Sequence, residues 1–597
     1  MLDINQIDIS NIVENWLIDF NEIIQNSKSI DDKKITKNFF KAFHKNSHWR
    51  DLIALTWEII TYSDIENIQK EFLNSLSKQN VSKFSIDKNR TKPRKVKRGG
   101  NTTIEAILSF STKNGIGESV VRLTEEKENN GIYKCWSIMT SLSSMGKSED
   151  SNINKVEKIK NFKAPNWLDI RNFEKTYENK QQDVLIVGAG QAGLSIAARL
   201  KQLKVDTLIV DKNERIGDNW RNRYHSLTLH NQTHVNHLPY MPFPETWPTY
   251  IPKDKLAGWF EYYAESMELN VWQNTQFIKA DYNKEKKGWI VETKVSNGKI
   301  KYLYPKHIVM AVGVSSVPQM PKIEGLDNFS GKIIHSAEHK TGKSFKDKNV
   351  LVFGTGTSAH DVCQDLYAND ANVTMVQRSP TMIVNLEPSA QLPYALYQEG
   401  PNTNDCDLIA ISSPLSVLKK THQMFTKQSK KLDEVLLNNL KKIGFVLDYG
   451  EDNTGWQFKY LTRGGGYYFN VGASNLIADK KIKLIQYKDI REFTKNGIIH
   501  NSYGKRNFDA FIFATGYKGQ EYMVEKFFGK EVAKKVGKIW DFNQKTQELN
   551  NMFVKTNQDG LWFIAGSLAQ CRIFSKYLSF QIKAEIKKNK NIFLKTN

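Results

Sequence analysis

Glycine occupies three fixed places in the run Asp183-Val184-Leu185-Ile186-Val187-Gly188-Ala189-Gly190-Gln191-Ala192-Gly193. At those places a side chain would collide with a dinucleotide pyrophosphate or with the strand beneath it. The apolar, β-branched run ahead of Gly188 predicts a buried strand, and the apolar spacing after Gly193 predicts a helix. Gly188, Gly190 and Gly193 therefore read as a dinucleotide cradle. About 20 residues on, where a ribose-binding acid belongs, Asp211 ends the strand Thr207–Val210. A carboxylate there accepts hydrogen bonds from ribose hydroxyls and repels a 2′-phosphate, which suits FAD or NAD rather than NADP.

A second cradle stands at Asn349-Val350-Leu351-Val352-Phe353-Gly354-Thr355-Gly356-Thr357-Ser358-Ala359. Gly354, Gly356 and Thr357 make the turn, and Ala359 replaces the third glycine, which the pattern tolerates. The acid is missing here: the strand Val373 to Val376 leads into Gln377-Arg378-Ser379. A guanidinium at Arg378 can make a bidentate contact to a 2′-phosphate, so the second nucleotide is expected to be NADPH.

Stepping outward, these sites need two α/β units to carry them. At 597 residues the chain has length for three or four domains, and 25% charged with 40% hydrophobic residues is ordinary for a folded globular protein. The net charge of +21 is spread along the chain among many Asn and Ile, which argues against nucleic acid as a partner. The one dense basic run, Lys88 to Arg98, reads as a solvated loop, with a targeting or anion-binding patch as the alternative. Cys135, Cys363, Cys406 and Cys571 form no local pair, zinc set or disulfide framework, which points to a reducing, cytoplasmic location. No signal peptide and no run of about 18 apolar residues is found, so no integral membrane segment is expected.

Residues 1–150 carry no cradle. Helical periods over Ile12 to Ile24 and from Phe39, then strands at Thr103 to Phe110, Ser119 to Leu123 and Tyr133 to Leu142, predict an α+β cone. His44 and His48 read as surface histidines. Residues 151–182 read as a polar linker that packs at one point. The expected division is then 183–325 for the first part of the FAD domain, 326–490 for the NADPH domain, and 491–597 for the returning second part. A helical insertion, 380–482, contains the glycine-rich stretch Arg463 to Gly472, whose backbone approaches either a ligand or another strand. The buried run Asp509 to Tyr517 and its repeat Leu561 to Ser567 are assigned to strands returning to the first unit. The predicted fold is α/β, two nested Rossmann-like domains preceded by the α+β cone.

Between the cradles lies Phe329-Ser330-Gly331-Lys332-Ile333-Ile334-His335-Ser336-Ala337-Glu338-His339-Lys340. This resembles the fingerprint of the flavin-containing monooxygenases. Together with both cradles and Phe513-Ala514-Thr515-Gly516-Tyr517, it extends the resemblance over about residues 181 to 597. Microbial members with a SnoaL-like N-terminal domain are the most similar. The resemblance implies two bound cofactors, FAD and NADPH, with Trp220 covering the flavin and Thr515 and Gly516 beside a cofactor. NADPH reduces the FAD, O2 adds at C4a, and the hydroperoxide passes one oxygen atom to a small substrate. His339 replaces the usual aromatic of the fingerprint, which disfavours the Baeyer–Villiger subclass. This stretch reads as a loop beside the cofactor, and aligning that loop through Ser226-Leu227-Thr228 puts His230, with Asn231 one step away, where the family places a peroxide-supporting residue; either could stabilise developing charge. The Leu-Thr-Leu-His segment resembles the YUCCA-type enzymes, which act on a 2-oxo acid. The substrate is thus expected to be a nitrogen or sulfur nucleophile or a 2-oxo acid. The alternatives are an NADPH oxidase releasing hydrogen peroxide, a Baeyer–Villiger enzyme, or a binding or homodimer-forming role for the N-terminal unit.

Overall fold

The structure, a computed structural model, describes residues 4–27, 32–126, 131–146, 162–178 and 180–593. Its N-terminal unit packs the helices Ile4–Asn26, Asp32–Ala42 and Ile65–Gln79 with a seven-stranded mixed sheet. Aromatic side chains fill the core between helices and sheet: Trp16, Phe20, Phe39 and Phe72 from the helices and Trp49 from the strand Phe43–Leu52. The strands Asn101–Thr112, Gly115–Glu125 and Tyr133–Met145 form its antiparallel centre.

The basic run is not a solvated loop. Its end forms the strand Arg94–Arg98, which turns at Gly99 and Gly100 and pairs antiparallel with the strand Asn101–Thr112. Its arginines meet carboxylates of the neighbouring strands and of the distant insertion: Arg90 reaches Glu118 and Asp405, and Arg98 reaches Glu105 and Glu399. The run binds the chain's own helical insertion.

The linker's described part also does more than touch once. An Asn166–Asp169 capping box starts the helix Trp167–Thr176. Trp167 and Trp272 then donate indole hydrogen bonds to Glu268 and to the Lys175 carbonyl. Residues 151–161 of the expected linker lie outside the described residues.

Two five-stranded parallel sheets carry the cradles. The first runs Val271–Trp272, Thr207–Val210, Val184–Val187, His307–Met310, Leu561–Phe563, with the helices Gln191–Gln202 and Leu568–Phe593 against it. The second runs Lys332–His335, Ala510–Phe513, Asn349–Phe353, Asn372–Gln377, Lys483–Gln486. The central strands, Val184–Val187 and, after exposed Asn349, Val350 to Phe353, are apolar and buried on both faces, as parallel sheets favour.

One expectation is corrected here. The strand Ala510–Phe513 lies inside the second sheet, between the strands Lys332–His335 and Asn349–Phe353, and does not return to the first. An all-apolar strand fits either sheet equally well, and its own sequence does not name its neighbours. Of the two late strands, Leu561–Phe563 is the one in the first sheet.

The insertion contributes the helices Thr403–Ile411, Leu415–Leu432, Glu434–Lys442 and Gly455–Arg463. Its glycine-rich stretch serves a strand approach: Tyr467–Asn470 pairs in parallel with Met382–Asn385, after Gly464 ends a helix at φ 69°.

Candidate functional site

Both cradles have the geometry their glycines demand. At Gly188, with φ 109°, a Cβ would lie 2.7 Å from the Ala311 carbonyl oxygen, and at Gly193 it would lie 1.8 Å from that of Gly188. Gly190 caps the helix Gln191–Gln202, whose first turn faces a cavity. Asp211 accepts hydrogen bonds from the Ala189 and Asn213 amides at 2.7 and 2.8 Å. Its carboxylate is thereby fixed at the cavity edge with lone pairs left for a ribose. Gly354, with φ 121°, stands over the Ala514 carbonyl, and Gly356 caps the helix Thr357–Ala368. Steric emptiness, helix N-termini free of side-chain caps and a fixed ribose acid together fit FAD on the first cradle. The second cradle, with exposed Arg378 directly after its neighbouring strand, fits NADPH.

The cavity is about 1650 Å³, larger than the few hundred to about 1,000 Å³ of a site for one drug-sized ligand. Of the residues singled out from sequence, Gly188, Gly190, Asp211, Trp220, His230, Asn231 and Thr357 line it. Gly193 lies beneath the first turn, where absence of a side chain lets helix and strand close up. Gly354, Gly356 and Arg378 border the second turn outside this cavity. Thr515 and Gly516 sit where two connecting segments cross: the Thr515 hydroxyl donates to the Gln319 carbonyl at 2.6 Å, and Gly516 accepts from the Gln319 amide at 3.0 Å. His335 lies 3.1 Å from the same Gly516 carbonyl, which makes it a positioning residue for that crossing.

His230 and Asn231 are carried on a short strand, Thr228–Gln232, paired with Tyr250–Pro252, and not on a loop. Strand alternation turns them to opposite faces. His230 opens to the cavity interior and packs edge-on against Phe469 of the insertion, with ring centroids 4.6 Å apart. The ring is open to the cavity, and the protein packed around it restricts its hydration and lowers its pKa to about 4, so the imidazole is neutral at pH 7. Asn231 is buried and sits beside the Tyr394 hydroxyl, whose pKa burial raises to about 12. The Asn231 carbonyl accepts from Asn236 at 2.9 Å. Behind that turn Arg572 donates to the Val235 and His237 carbonyls and forms a bidentate pair with Asp407, both bonds at 2.7 Å. This edge of the cavity thus offers neutral donors and acceptors held rigidly, which suits stabilising charge that develops on a reacting oxygen.

The two nucleotide domains meet through the fingerprint. His339 Nε2 lies 2.7 Å from Asp365 on the second cradle's helix, filling the aromatic position with a buried, hydrogen-bonded ring. The Lys340 ammonium donates to the Asn222 carbonyl, and the His225 amide donates to the Lys340 carbonyl at 2.8 Å. Tyr224 donates to Asp361 across the same seam, and burial raises the Asp361 pKa to about 6.

Sequence reasoning missed Tyr394, Asp361 and two arginines of the N-terminal unit, Arg50 and Arg122, all of which line the cavity. Nothing local marks them; only the fold brings them there. Among the described residues no group of His, Cys, Asp and Glu could hold a metal ion. No helix among them is long and apolar enough to cross a membrane.

Comparison with known proteins agrees with this geometry. Residues 185–399 match the family described as pyridine nucleotide-disulphide oxidoreductase. The chain is 30% identical over 337 residues, 56% of its length and 75% of the relative's, to the probable indole-3-pyruvate monooxygenase YUCCA1 of Arabidopsis thaliana. It is 28% identical to Arabidopsis YUCCA10 over 58% of this chain and 85% of that protein. A solved cyclohexanone monooxygenase with bound ε-caprolactone shares the fold at TM-score 0.50 and 18% identity, over 68% of this chain and 88% of that one. With its two cradles, flavin and NADP sites and this level of identity, the chain belongs to the YUCCA-type family of NADPH-dependent flavin monooxygenases.

Proposed function

We propose that the chain transfers one oxygen atom from O2 to a small nitrogen or sulfur nucleophile or a 2-oxo acid held beside His230 and Asn231. The observation that carries this reading is one continuous cavity that runs from the first cradle past the second cradle's helix to a wall of neutral polar groups. FAD, once reduced by NADPH, supplies the oxygen activation. The chain's own contribution is binding, exclusion of water and charge stabilisation. Gly188, Gly190 and Asp211 hold the flavin nucleotide, Thr357 and Arg378 hold NADPH, and Trp220 closes one side. Asn231, oriented by Tyr394, donates its amide hydrogen to oxygen carrying developing charge. Neutral His230 lines the cavity from the strand's other face, packed against Phe469.

Disulfide reduction is disfavoured by the state of the cysteines. Cys135, Cys363, Cys406 and Cys571 are unpaired and buried, and burial raises each thiol pKa, so no thiolate stands ready. The same reduced thiols support a cytoplasmic setting.

The test is an Asn231→Ala variant assayed for NADPH oxidation, oxygenated product and hydrogen peroxide together. Loss of one donor of this kind costs about 2.7–4 kcal/mol, or 10²–10³ in product formation. NADPH oxidation should continue, with hydrogen peroxide replacing product. Unchanged coupling of NADPH to product in the variant refutes the role of Asn231.

A further inference from the structure

The N-terminal unit closes one end of the cavity. Arg50, Arg98 and Arg122 border it there, opposite apolar side chains of the insertion such as Ile409, Ile411 and Val417. Arg50 is fully engaged: it pairs with both oxygens of Glu548 and donates to the Ile411 carbonyl. Arg122 is not. Its Nε donates to Glu105 at 2.9 Å, its Nη2 donates to the Ser412 hydroxyl at 2.7 Å and the Ile409 carbonyl at 3.2 Å, and its Nη1 is buried without an acceptor. The side chain is 1% exposed, so no bulk water compensates Nη1.

The local charge is also unbalanced. Three guanidiniums, Arg94, Arg98 and Arg122, share two carboxylates, Glu105 and Glu399. Burial and the neighbouring Arg98 and Arg94 all work against the Arg122 charge, which Glu105 alone supports. A buried cation with a free donor beside a ligand cavity calls for an anion.

We propose that Arg122 binds a carboxylate at the end of the substrate remote from the atom that is oxygenated. The 3₁₀ helix Ser389–Gln398 gives the scale: it carries Tyr394 beside Asn231 and is followed by Glu399, which pairs with Arg94 and Arg98, the guanidiniums that share Glu105 with Arg122. Five residues at 2.0 Å rise place those two ends roughly 10 Å apart. The N-terminal unit is then a specificity domain, selecting an apolar molecule with an acid at its far end.

This inference rests on the proposed oxygenation site, and the test separates the two. The probe is a methyl thioether joined to a carboxylate through seven methylenes, about 10 Å from sulfur to acid with C–C bonds near 1.5 Å, compared with its carboxamide and with the two-methylene acid. Calorimetric binding to the FAD-loaded full chain and sulfoxide formation are both measured. The long acid should bind about 10-fold or more tighter than its amide, from one charge-assisted contact, and the short acid should lose that advantage. Arg122→Gln should abolish the preference, and Arg122→Lys should restore part of it. Equal affinity for long acid and amide, no binding of either, or a preference that survives Arg122→Gln overturns the proposal. Because the acid–amide comparison uses the unaltered chain, it stands even if a variant fails to fold. Charge-selective binding without sulfoxide supports the Arg122 site and removes thioethers from the substrates of the oxygenation site.

Discussion

Gly193→Ala is the sharpest structural perturbation of the first cradle. The added Cβ would lie 1.8 Å from the Gly188 carbonyl oxygen and 3.4 Å from Ile186. Non-bonded carbon contacts settle near 3.5–4.0 Å, so the helix Gln191–Gln202 must move off its turn by more than about 1 Å. That helix packs against the C-terminal helix Leu568–Phe593 and is buried along most of its length. Overpacking of this kind costs about 1–3 kcal/mol. At roughly 2–4 °C per kcal/mol for a domain of 150–250 residues, Tm should fall by several degrees, and the upper end is expected because the clash is with backbone. The same movement withdraws the first-turn amides from the pyrophosphate. The assay is FAD content after gel filtration, read from the flavin-to-protein absorbance ratio, together with apoprotein Tm. The second cradle supplies a control, since Ala359 occupies the matching place buried and without strain. A Gly193→Ala protein that keeps stoichiometric FAD and its Tm would refute the steric account of the cradle.

Three further outcomes are expected. Arg378→Gln should raise KM for NADPH about 10- to 100-fold, the worth of a charged hydrogen-bond pair, and leave NADH unaffected; equal effects on the two nucleotides would remove Arg378 from the 2′-phosphate site. The Asp361 carboxyl, at 3.8 when unfolded and about 6 when folded, binds its proton more tightly in the native state, so apoprotein stability should fall as pH rises from about 4 to 6 and stay flat above. Asp361→Asn should remove that slope and gain about 2–3 kcal/mol at pH 7, seen as Tm against pH; an unaltered slope contradicts the assignment. Glu548→Ala strands buried Arg50 and should cost about 3–5 kcal/mol, with faster proteolytic release of the N-terminal unit; an unchanged Tm would show the contact is idle.

The parts of this protein legible from sequence are those set by local sterics and periodicity. Glycine spacing located both cradles, and the apolar runs located their strands because a parallel strand buried on both faces has no polar positions. The helices of the insertion and the central strands of the N-terminal unit were visible for the same reason. What stayed hidden depends on partners distant in the chain. Ala510–Phe513 carries no mark of which sheet it enters. The arginines of the basic run look solvated until Glu399 and Asp405 fold against them. His230 and Asn231 could be placed in one segment, but only the strand Thr228–Gln232 shows that they face opposite ways. Thr515 and Gly516 sit at a crossing of backbones, where their conservative chemistry serves hydrogen bonds to Gln319. Arg122 and Tyr394 belong to no motif, and single polar residues on a strand or a 3₁₀ helix give no signal until the cavity forms around them.

The central claim is that reducing equivalents from NADPH end in oxygen transfer to a substrate. Its most direct test is single-vessel accounting with the FAD-loaded chain under ¹⁸O2, offering amines, thioethers and 2-oxo acids in turn. NADPH loss, hydrogen peroxide and labelled product are read together. The account predicts one labelled oxygen atom in product for each NADPH consumed with at least one of these classes. Full recovery of NADPH electrons as hydrogen peroxide, with no label in any product, would contradict it and identify the chain as an oxidase.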